Sequence, residues 1–560
     1  MSASATNRRI VVLAVFFALL LGTTLARAFW LQGIKGAQYA AMALRQHRET
    51  VVVPAGRGTI FDRSGDPLAI GEQAITVYAN PRQVVNPREV TLAVSRLLHL
   101  DPEQVYPLLA DRSKGFVYVE RKAEPAKAAA LEKRHIPGLG FYPEERRTYP
   151  QGRVAAQVLG FAGTDNTGLE GLEKSLDPTL AGKPGSETIV KDPAGRALSV
   201  ASTRPETPGS NVRLTIDSQI QATAEDVLAR TVRQWGAKAA TAIVMDPYTG
   251  AVLAMAVAPG FNANHFATTR DDRHRNRAVT DTYEPGSTFK LVTISAALQE
   301  GLVTPRTSFE LAPTIQVADR VIHEAEARGT ERMTVAQIVA RSSNIGTVTI
   351  AERLGAGRLA SWINRYGFGQ QTGIDFPGES PAFALPLDQW SGSTIGTVPI
   401  GQGISVTPLQ MARAYSAIAN GGRLVTPHLV DRVGGRTVEH GPGRRVVSGK
   451  VSKEMLSMLR GVVLEGTGTA AAIPGYTVAG KTGTAAKVDP NGHYSTTNYV
   501  ASFVGMVPAT KPRLVIMAMV DEPRGAIWGG VVAAPAFQQI ARFCLQHLEV
   551  PPDAPSTAKN

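Results

Sequence analysis

The 560-residue sequence contains a single cysteine, Cys544, so no intrachain disulfide can form. It lies in the apolar run Phe537-Gln538-Gln539-Ile540-Ala541-Arg542-Phe543-Cys544-Leu545, where a packed core thiol is expected rather than a reactive one. No metal-ligand cluster is present. The nearest candidate, His323-Glu324-Ala325-Glu326-Ala327, lacks a second His at i+4, so no metal is expected. No dense Lys/Arg block accompanies the net charge of +12. That charge suits an anionic membrane surface or wall polymer. The lack of a basic motif interleaved with aromatics argues against nucleic acid. There is no fixed-period repeat and no low-complexity tract. What remains is an ordinary globular composition, 43% hydrophobic and 19% charged, in a chain long enough for two or three domains.

One long apolar run is present. Asn7-Arg8-Arg9 precedes Ile10 to Ala26, followed by Arg27 and Ala28-Phe29-Trp30-Leu31. The span 10–31 meets the roughly 20 residues a bilayer requires. The two arginines before it favour a cytoplasmic tail over residues 1–9, and Trp30 with a snorkelling Arg27 suits the far interface. The competing reading is a cleaved signal peptide with Ala26-Arg27-Ala28 as its processing site, against which the length of the run argues. Either way the bulk of the chain faces outward, on the extracytoplasmic side of the membrane.

Lys35 to His47 reads as a helix-prone juxtamembrane stalk. Residues 32–202 read as a turn-rich module without chemistry of its own, in which Arg57, Asp62 and Arg63 form a candidate ion-pair cluster. Thr203 to Ser210 is a linker by composition. A compact domain follows over 211–548, and residues 549–560 read as a disordered tail. Within the compact domain, Asp217 caps a predicted helix through about Trp235. Two apolar strands flank the turn Asp246-Pro247-Tyr248-Thr249-Gly250.

Three stretches carry chemistry. In Tyr283-Glu284-Pro285-Gly286-Ser287-Thr288-Phe289-Lys290, a hydroxyl and an amine stand three residues apart at the start of a buried helix. Positions i and i+3 share a helix face, which puts the Lys290 amine within reach of Ser287. A buried lysine near other cations can lose its charge and take the serine proton. In Arg341-Ser342-Ser343-Asn344, a hydroxyl able to relay a proton and an amide able to hold a peptide backbone bracket one residue. In Gly480-Lys481-Thr482-Gly483-Thr484, a predicted strand offers a cation and two hydroxyls to a carboxylate, with glycines that permit close backbone approach. Taken singly, each has a plain structural reading: a capped helix start, a turn, an edge strand protected by lysine.

Together, Ser-x-x-Lys, Ser-x-Asn and Lys-Thr-Gly in this order resemble the signature of the penicillin-recognising serine enzymes. Behind an N-terminal anchor the chain resembles class B penicillin-binding proteins, the monofunctional D,D-transpeptidases, and most resembles their division (septal) branch. Gly56 to Arg63, Gly168-Leu169-Glu170, Gly401 to Pro408 and Asp521-Glu522-Pro523 extend the resemblance over nearly the whole chain. The resemblance implies an α+β fold: an elongated N-terminal pedestal, and a transpeptidase domain whose antiparallel sheet is sandwiched by helices. It implies Ser287 as nucleophile, Lys290 as base and Ser342 as proton relay. Asn344 would orient the stem peptide, and Lys481, Thr482, Gly483 and Thr484 would form the carboxylate-binding strand. Backbone N–H groups of Ser287 and Thr484 would form the oxyanion hole. Implied partners are peptidoglycan stem peptides, β-lactams, a polytopic glycan polymerase and other division proteins, with no cofactor. A D,D-carboxypeptidase or β-lactamase on the same fold, and a non-catalytic scaffold or β-lactam sensor, are the alternatives.

Overall fold

The computed structural model describes residues 3–39, 42, 48–191 and 197–554. Helix α1 (Ala3–Phe29) continues into a π-helical turn at Trp30–Ile34. The segment Asn7–Ile34 has a mean hydropathy of 2.3 and is long and apolar enough to cross a membrane. The expected span 10–31 lies inside it. Trp30 sits between two cations, 5.8 Å from the Arg27 guanidinium and 5.6 Å from Lys35 Nζ. Most of the expected stalk lies outside the described residues.

The chain divides into two compact units. One comprises residues 1–56 and 182–209, the other 57–181 and 210–560. In the first, Arg48–Val53, Gly185–Lys191 and Ala197–Arg204 form a three-stranded antiparallel sheet.

In the second unit, a seven-stranded sheet joins residues far apart in sequence. Its long strand Pro67–Ala79 pairs with Leu139–Thr148 and Val117–Ala123. Ile60–Phe61 pairs in parallel with Val212–Leu214, which in turn pairs with Val430–Val433. The expected Arg57/Asp62/Arg63 cluster does not form. Arg57 is buried against Glu173 (2.6 Å) and Asp177 (2.7 Å). Asp62 accepts hydrogen bonds from the Ser64 and Asp66 amides of its own turn and from Ser218. Arg63 stands 3.8 Å from Asp217. Burial explains the difference: a guanidinium taken from water requires carboxylates close by, and Glu173 is fully buried beside it.

The rest of this unit is built around a five-stranded antiparallel sheet with helices on both faces. Its strands are β1 (Ala239–Met245), β2 (Val252–Ala258), β3 (Ala479–Val488), β4 (Tyr494–Val507) and β5 (Leu514–Asp521), in the order β2-β1-β5-β4-β3. Alternation along the strands splits the core in two. Ala242, Val244, Phe503 and Ile516 pack with α2 (Ser218–Gln234) and with the C-terminal helix α6 (Ala534–His547). Ile243, Val504 and Met517 pack on the other face with α3 (Lys290–Gln299) and α5 (Pro408–Ala419). Between these two helices in the chain lies α4 (Asn344–Leu354). Asp217 caps α2 through the Gln219 and Ile220 amides, as its position predicts. Cys544 is fully buried on α6, and burial raises its thiol pKa. The chain end departs from expectation: Asp553 accepts from the Thr477 amide (2.7 Å) and from the Thr510 hydroxyl (2.5 Å), so residues up to Ala554 are pinned to the body.

Candidate active site

The serine stands on a tight 3₁₀ turn, Gly286–Phe289, that leads into α3. Gly286 adopts φ +53°, and a Cβ there would lie 2.9 Å from the Thr484 carbonyl. Glycine therefore supplies both the left-handed conformation and the close approach of the turn to β3. The turn is supported from below, where the Tyr415 hydroxyl on α5 donates to the Thr288 carbonyl at 2.9 Å. Ser287 is half-buried and lines a cleft of about 620 Å³ with Ser342, Asn344, Thr482 and Thr484.

Lys290 and Lys481 are 2% and 1% exposed, so both amines are removed from water. Lys290 Nζ lies 2.7 Å from the Ser342 carbonyl, 2.8 Å from Asn344 Oδ1 and 3.3 Å from Ser342 Oγ. Lys481 Nζ lies 2.9 Å from the same Ser342 Oγ and 3.3 Å from the Thr482 carbonyl. One hydroxyl is thus held between two buried amines. Desolvation drives the Lys290 pKa well below its ordinary value, and the neighbouring Lys481 charge lowers it further. Desolvation alone brings Lys481 down to about 7.

The Ser287–Lys290 contact expected from helical spacing is replaced by these bonds. Lys290 turns to three oxygens of the Ser342–Asn344 segment, and among the described residues Ser287 Oγ has no side-chain hydrogen bond. Ser342 itself adopts φ +59°, a left-handed conformation that costs an L-residue about 1–2 kcal/mol. The conformation accompanies the turn of its carbonyl onto Lys290.

Several residues that complete this arrangement carry no motif. Glu324 accepts from the Ser343 hydroxyl and from the Asn344 amide (2.7 Å), clamping the start of α4. Its charge also opposes the fall in the Lys290 pKa. The Thr467 and Thr482 hydroxyls are 2.7 Å apart. The Gly529 amide donates to Thr484 Oγ1 at 3.1 Å. A Cβ at Gly529 would stand 2.3 Å from the Ser502 carbonyl and 2.4 Å from the Gly483 carbonyl, so only glycine fits. The run Gly466-Thr467-Gly468-Thr469 is the one sequence signal available for any of these.

β3 is the edge strand of its sheet, and its motif residues face the serine turn across a free edge. All eight residues predicted from the sequence fall around this one cleft. Seven contribute side chains, and Gly483 contributes the absence of one: a Cβ there would lie 2.9 Å from the Pro285 carbonyl. The arrangement can present a nucleophilic hydroxyl, a neutral amine, a relay hydroxyl and an anion-binding strand to one ligand.

This site and fold define a serine acyl-transfer protein of the penicillin-recognising class. Residues 240–542 match the penicillin binding protein transpeptidase domain, and residues 52–214 match the penicillin-binding protein dimerisation domain. The chain belongs to the penicillin-binding protein family. It is 33% identical over 547 residues to peptidoglycan D,D-transpeptidase FtsI of Escherichia coli K12, covering 96% of this chain and 92% of the relative. Penicillin-binding protein PbpB of Mycobacterium tuberculosis is 36% identical over 565 residues, covering 93% and 82%. The crystal structure of penicillin binding protein 3 from Mycobacterium tuberculosis in complex with aztreonam matches with a TM-score of 0.71 at 32% identity, covering 90% of this chain and 99% of that one.

Proposed function

We propose that this protein is a peptidoglycan D,D-transpeptidase that crosslinks stem peptides through a serine acyl-enzyme, in septal wall synthesis at division. The observation that carries this reading is Ser342 Oγ lying 2.9 Å from Lys481 Nζ and 3.3 Å from Lys290 Nζ, in the cleft that Ser287 lines.

Ser287 Oγ attacks the carbonyl carbon of the penultimate D-Ala, and its proton passes to neutral Lys290. A neutral amine has two N–H bonds, and the Ser342 carbonyl and Asn344 Oδ1 accept both, which leaves the nitrogen lone pair as the base. The Lys290–Ser287 hydrogen bond forms once substrate is bound, since such bonds tighten in the Michaelis complex. The backbone N–H groups of Ser287 and Thr484 stabilise the oxyanion, each contributing about 3–4 kcal/mol. Ser342 passes the proton to the departing D-Ala nitrogen, drawing it in turn from Lys290. Lys481, Thr482 and Thr484 bind the terminal carboxylate, Gly483 lets the strand approach, and Asn344 orients the peptide backbone. The amine of a neighbouring stem peptide then attacks the ester, releasing Ser287 and forming the crosslink. β-Lactams acylate the same hydroxyl.

In this reading the apolar helix anchors the chain in the cytoplasmic membrane with the catalytic domain on the extracytoplasmic side. Residues 32–202 form a pedestal, 203–210 a linker and 211–548 the transpeptidase domain. A glycan polymerase and other division proteins are its partners. The test is labelling of the purified protein with a fluorescent penicillin, with mass spectrometric mapping of the adduct. A long-lived adduct on Ser287, absent from Ser287→Ala, is expected. Rapid loss of the adduct would instead indicate a hydrolase. Cells relying on Ser287→Ala are expected to filament; normal division would end the septal assignment.

A further inference from the structure

Two hydroxyls of β3 line the cleft, those of Thr482 and Thr484. In acylation each gives its proton to the terminal carboxylate of the ligand. Whether it can do so depends on what stands behind it. The Gly529 amide donates to Thr484 Oγ1 at 3.1 Å. An amide N–H can only donate, so the Thr484 proton is free for the ligand. Lys481 Nζ lies 3.4 Å from Thr482 Oγ1, again as a donor. Thr482 has one further polar side-chain neighbour among the described residues, Thr467, whose Oγ1 is 2.7 Å from its own. Thr467 belongs to none of the three motifs, and the chemistry above gives it no part.

Backbone contacts set the position of Thr467. It stands on the turn 466–469 after the helix Gly449–Leu464, and the Gly468 amide donates to the Val462 carbonyl at 2.9 Å. A Cβ at Gly466 would run into the Ala340 carbonyl, and one at Gly530 into the Thr467 carbonyl. The turn is thus wedged between the segment that leads to Ser342 and the segment Gly529–Val532. Thr482 is buried, whereas Thr467 is exposed where it lines the cleft. Among the described residues Thr467 Oγ1 makes no other hydrogen bond, so no second acceptor competes for its proton.

A hydroxyl has one proton to give, and a carboxylate can only accept. Two hydroxyls 2.7 Å apart share a single hydrogen bond, in which one of them spends its proton. If Thr482 spent its own on Thr467, only lone pairs would face the ligand. If Thr467 donates, Thr482 keeps its proton for the carboxylate, in a charge-assisted bond. The donor behind Thr482 also polarises that bond and strengthens it. Thr484 has the same arrangement from an amide whose direction cannot reverse.

We infer that Thr467 is a positioning residue for acylation, donating to Thr482 so that the Thr482 proton is held towards the carboxylate of the donor peptide or β-lactam. It acts through Thr482 and does not touch the ligand. The inference deepens the proposed function and rests on it. A seated ligand excludes water from Thr482. Loss of the Thr467 hydroxyl therefore leaves the Thr482 oxygen without that donor at the step where the carboxylate is bound.

The test follows acylation of the full-length protein in detergent by benzylpenicillin, using rapid quenching and intact mass. Thr467→Val keeps the shape and removes the donor, and is expected to slow acylation about fivefold. Thr467→Ser keeps the donor and is expected to stay within about twofold of wild type. In a Thr482→Val background, Thr467→Val is expected to change the rate by less than about twofold, because its route to the ligand is gone. A purely structural role for Thr467 would instead slow both backgrounds by the same factor, and that result overturns the inference. So does a Thr467→Val rate equal to wild type, or a Thr467→Ser rate as slow as that of Thr467→Val. Each of these leaves the transpeptidase reading standing, whereas failure of the wild type to react with benzylpenicillin overturns both. Should Thr467→Val fail to fold, Thr467→Ala takes its place in the same comparison.

Discussion

At the scale of single residues, the site is organised around buried charge. Lys481 titrates near 7 in the folded protein, whereas an unfolded lysine titrates near 10.5. Between these values the unfolded chain binds a proton that the native chain does not, so the Lys481 contribution to stability rises with pH by about 1.4 kcal/mol per unit. Below pH 7 the penalty is constant. Lys481→Met should therefore stabilise the protein at pH 7.5 by up to about 4 kcal/mol while abolishing acylation, and its gain should shrink towards pH 10. Urea titrations at the two pH values check this; an equal effect at both would refute it. Glu324→Gln weakens the clamp on Ser343 and Asn344, and a loss of about 1–2 kcal/mol predicts roughly tenfold slower acylation by penicillin. Stopped-flow rates decide, and an unchanged rate would show that the clamp is dispensable. The sequence made Ser287, Lys290, Ser342, Asn344 and the Lys481 strand legible because their chemistry requires fixed spacings. Glu324 was not legible, because a carboxylate that works by capping a helix start twenty residues away carries no local pattern. The direction of Lys290 was misread for a related reason: helical spacing reports which residues can meet, not which acceptors in a distant segment compete for them.

At the scale of elements, local signals were strongest where the backbone dictates its own residues. The hairpin around Asp246-Gly250 and the Asp217 cap both appear where turn and cap chemistry places them. Thr407 and Gln410 form a reciprocal capping box at the start of α5, the helix whose Tyr415 supports the serine turn. The short helical segment Gly529–Val532 was less visible, since its role depends on meeting β3 and β4. Gly529→Ala drives a methyl group into two carbonyls and should displace Thr484. We expect at least a tenfold loss in acylation rate with a smaller change in unfolding midpoint. Parallel measurement of both checks this, and wild-type acylation would show that the segment yields without cost.

At the scale of the molecule, residues far apart in sequence are joined by ionic and strand pairing that no short window of sequence contains. Arg57 bonds Glu173 and Asp177, more than a hundred residues away, and Arg147 shares Glu173 at 2.6 Å. Arg57→Met leaves buried Glu173 to Arg147 alone and should cost about 3–5 kcal/mol in thermal or urea unfolding. A change below 1 kcal/mol would mean that Arg147 suffices. The two family segments were legible as a whole because motifs are scattered along almost the full chain. The partners of Arg57 were not, and neither was the anchoring of Asp553.

The strand Val430–Val433 has a consequence for biogenesis. It completes a sheet begun at Ile60–Phe61 and continued at Val212–Leu214. A ribosome delivers the first two long before the third, so a nascent chain carries an uncapped strand edge through most of its synthesis. Pairing across such separations is slow, because the loop must close before contacts reward it. Val212–Leu214 thus waits for its last partner while about two hundred further residues are made, and during that interval its free edge presents a template for aggregation that a holdase chaperone would need to shield.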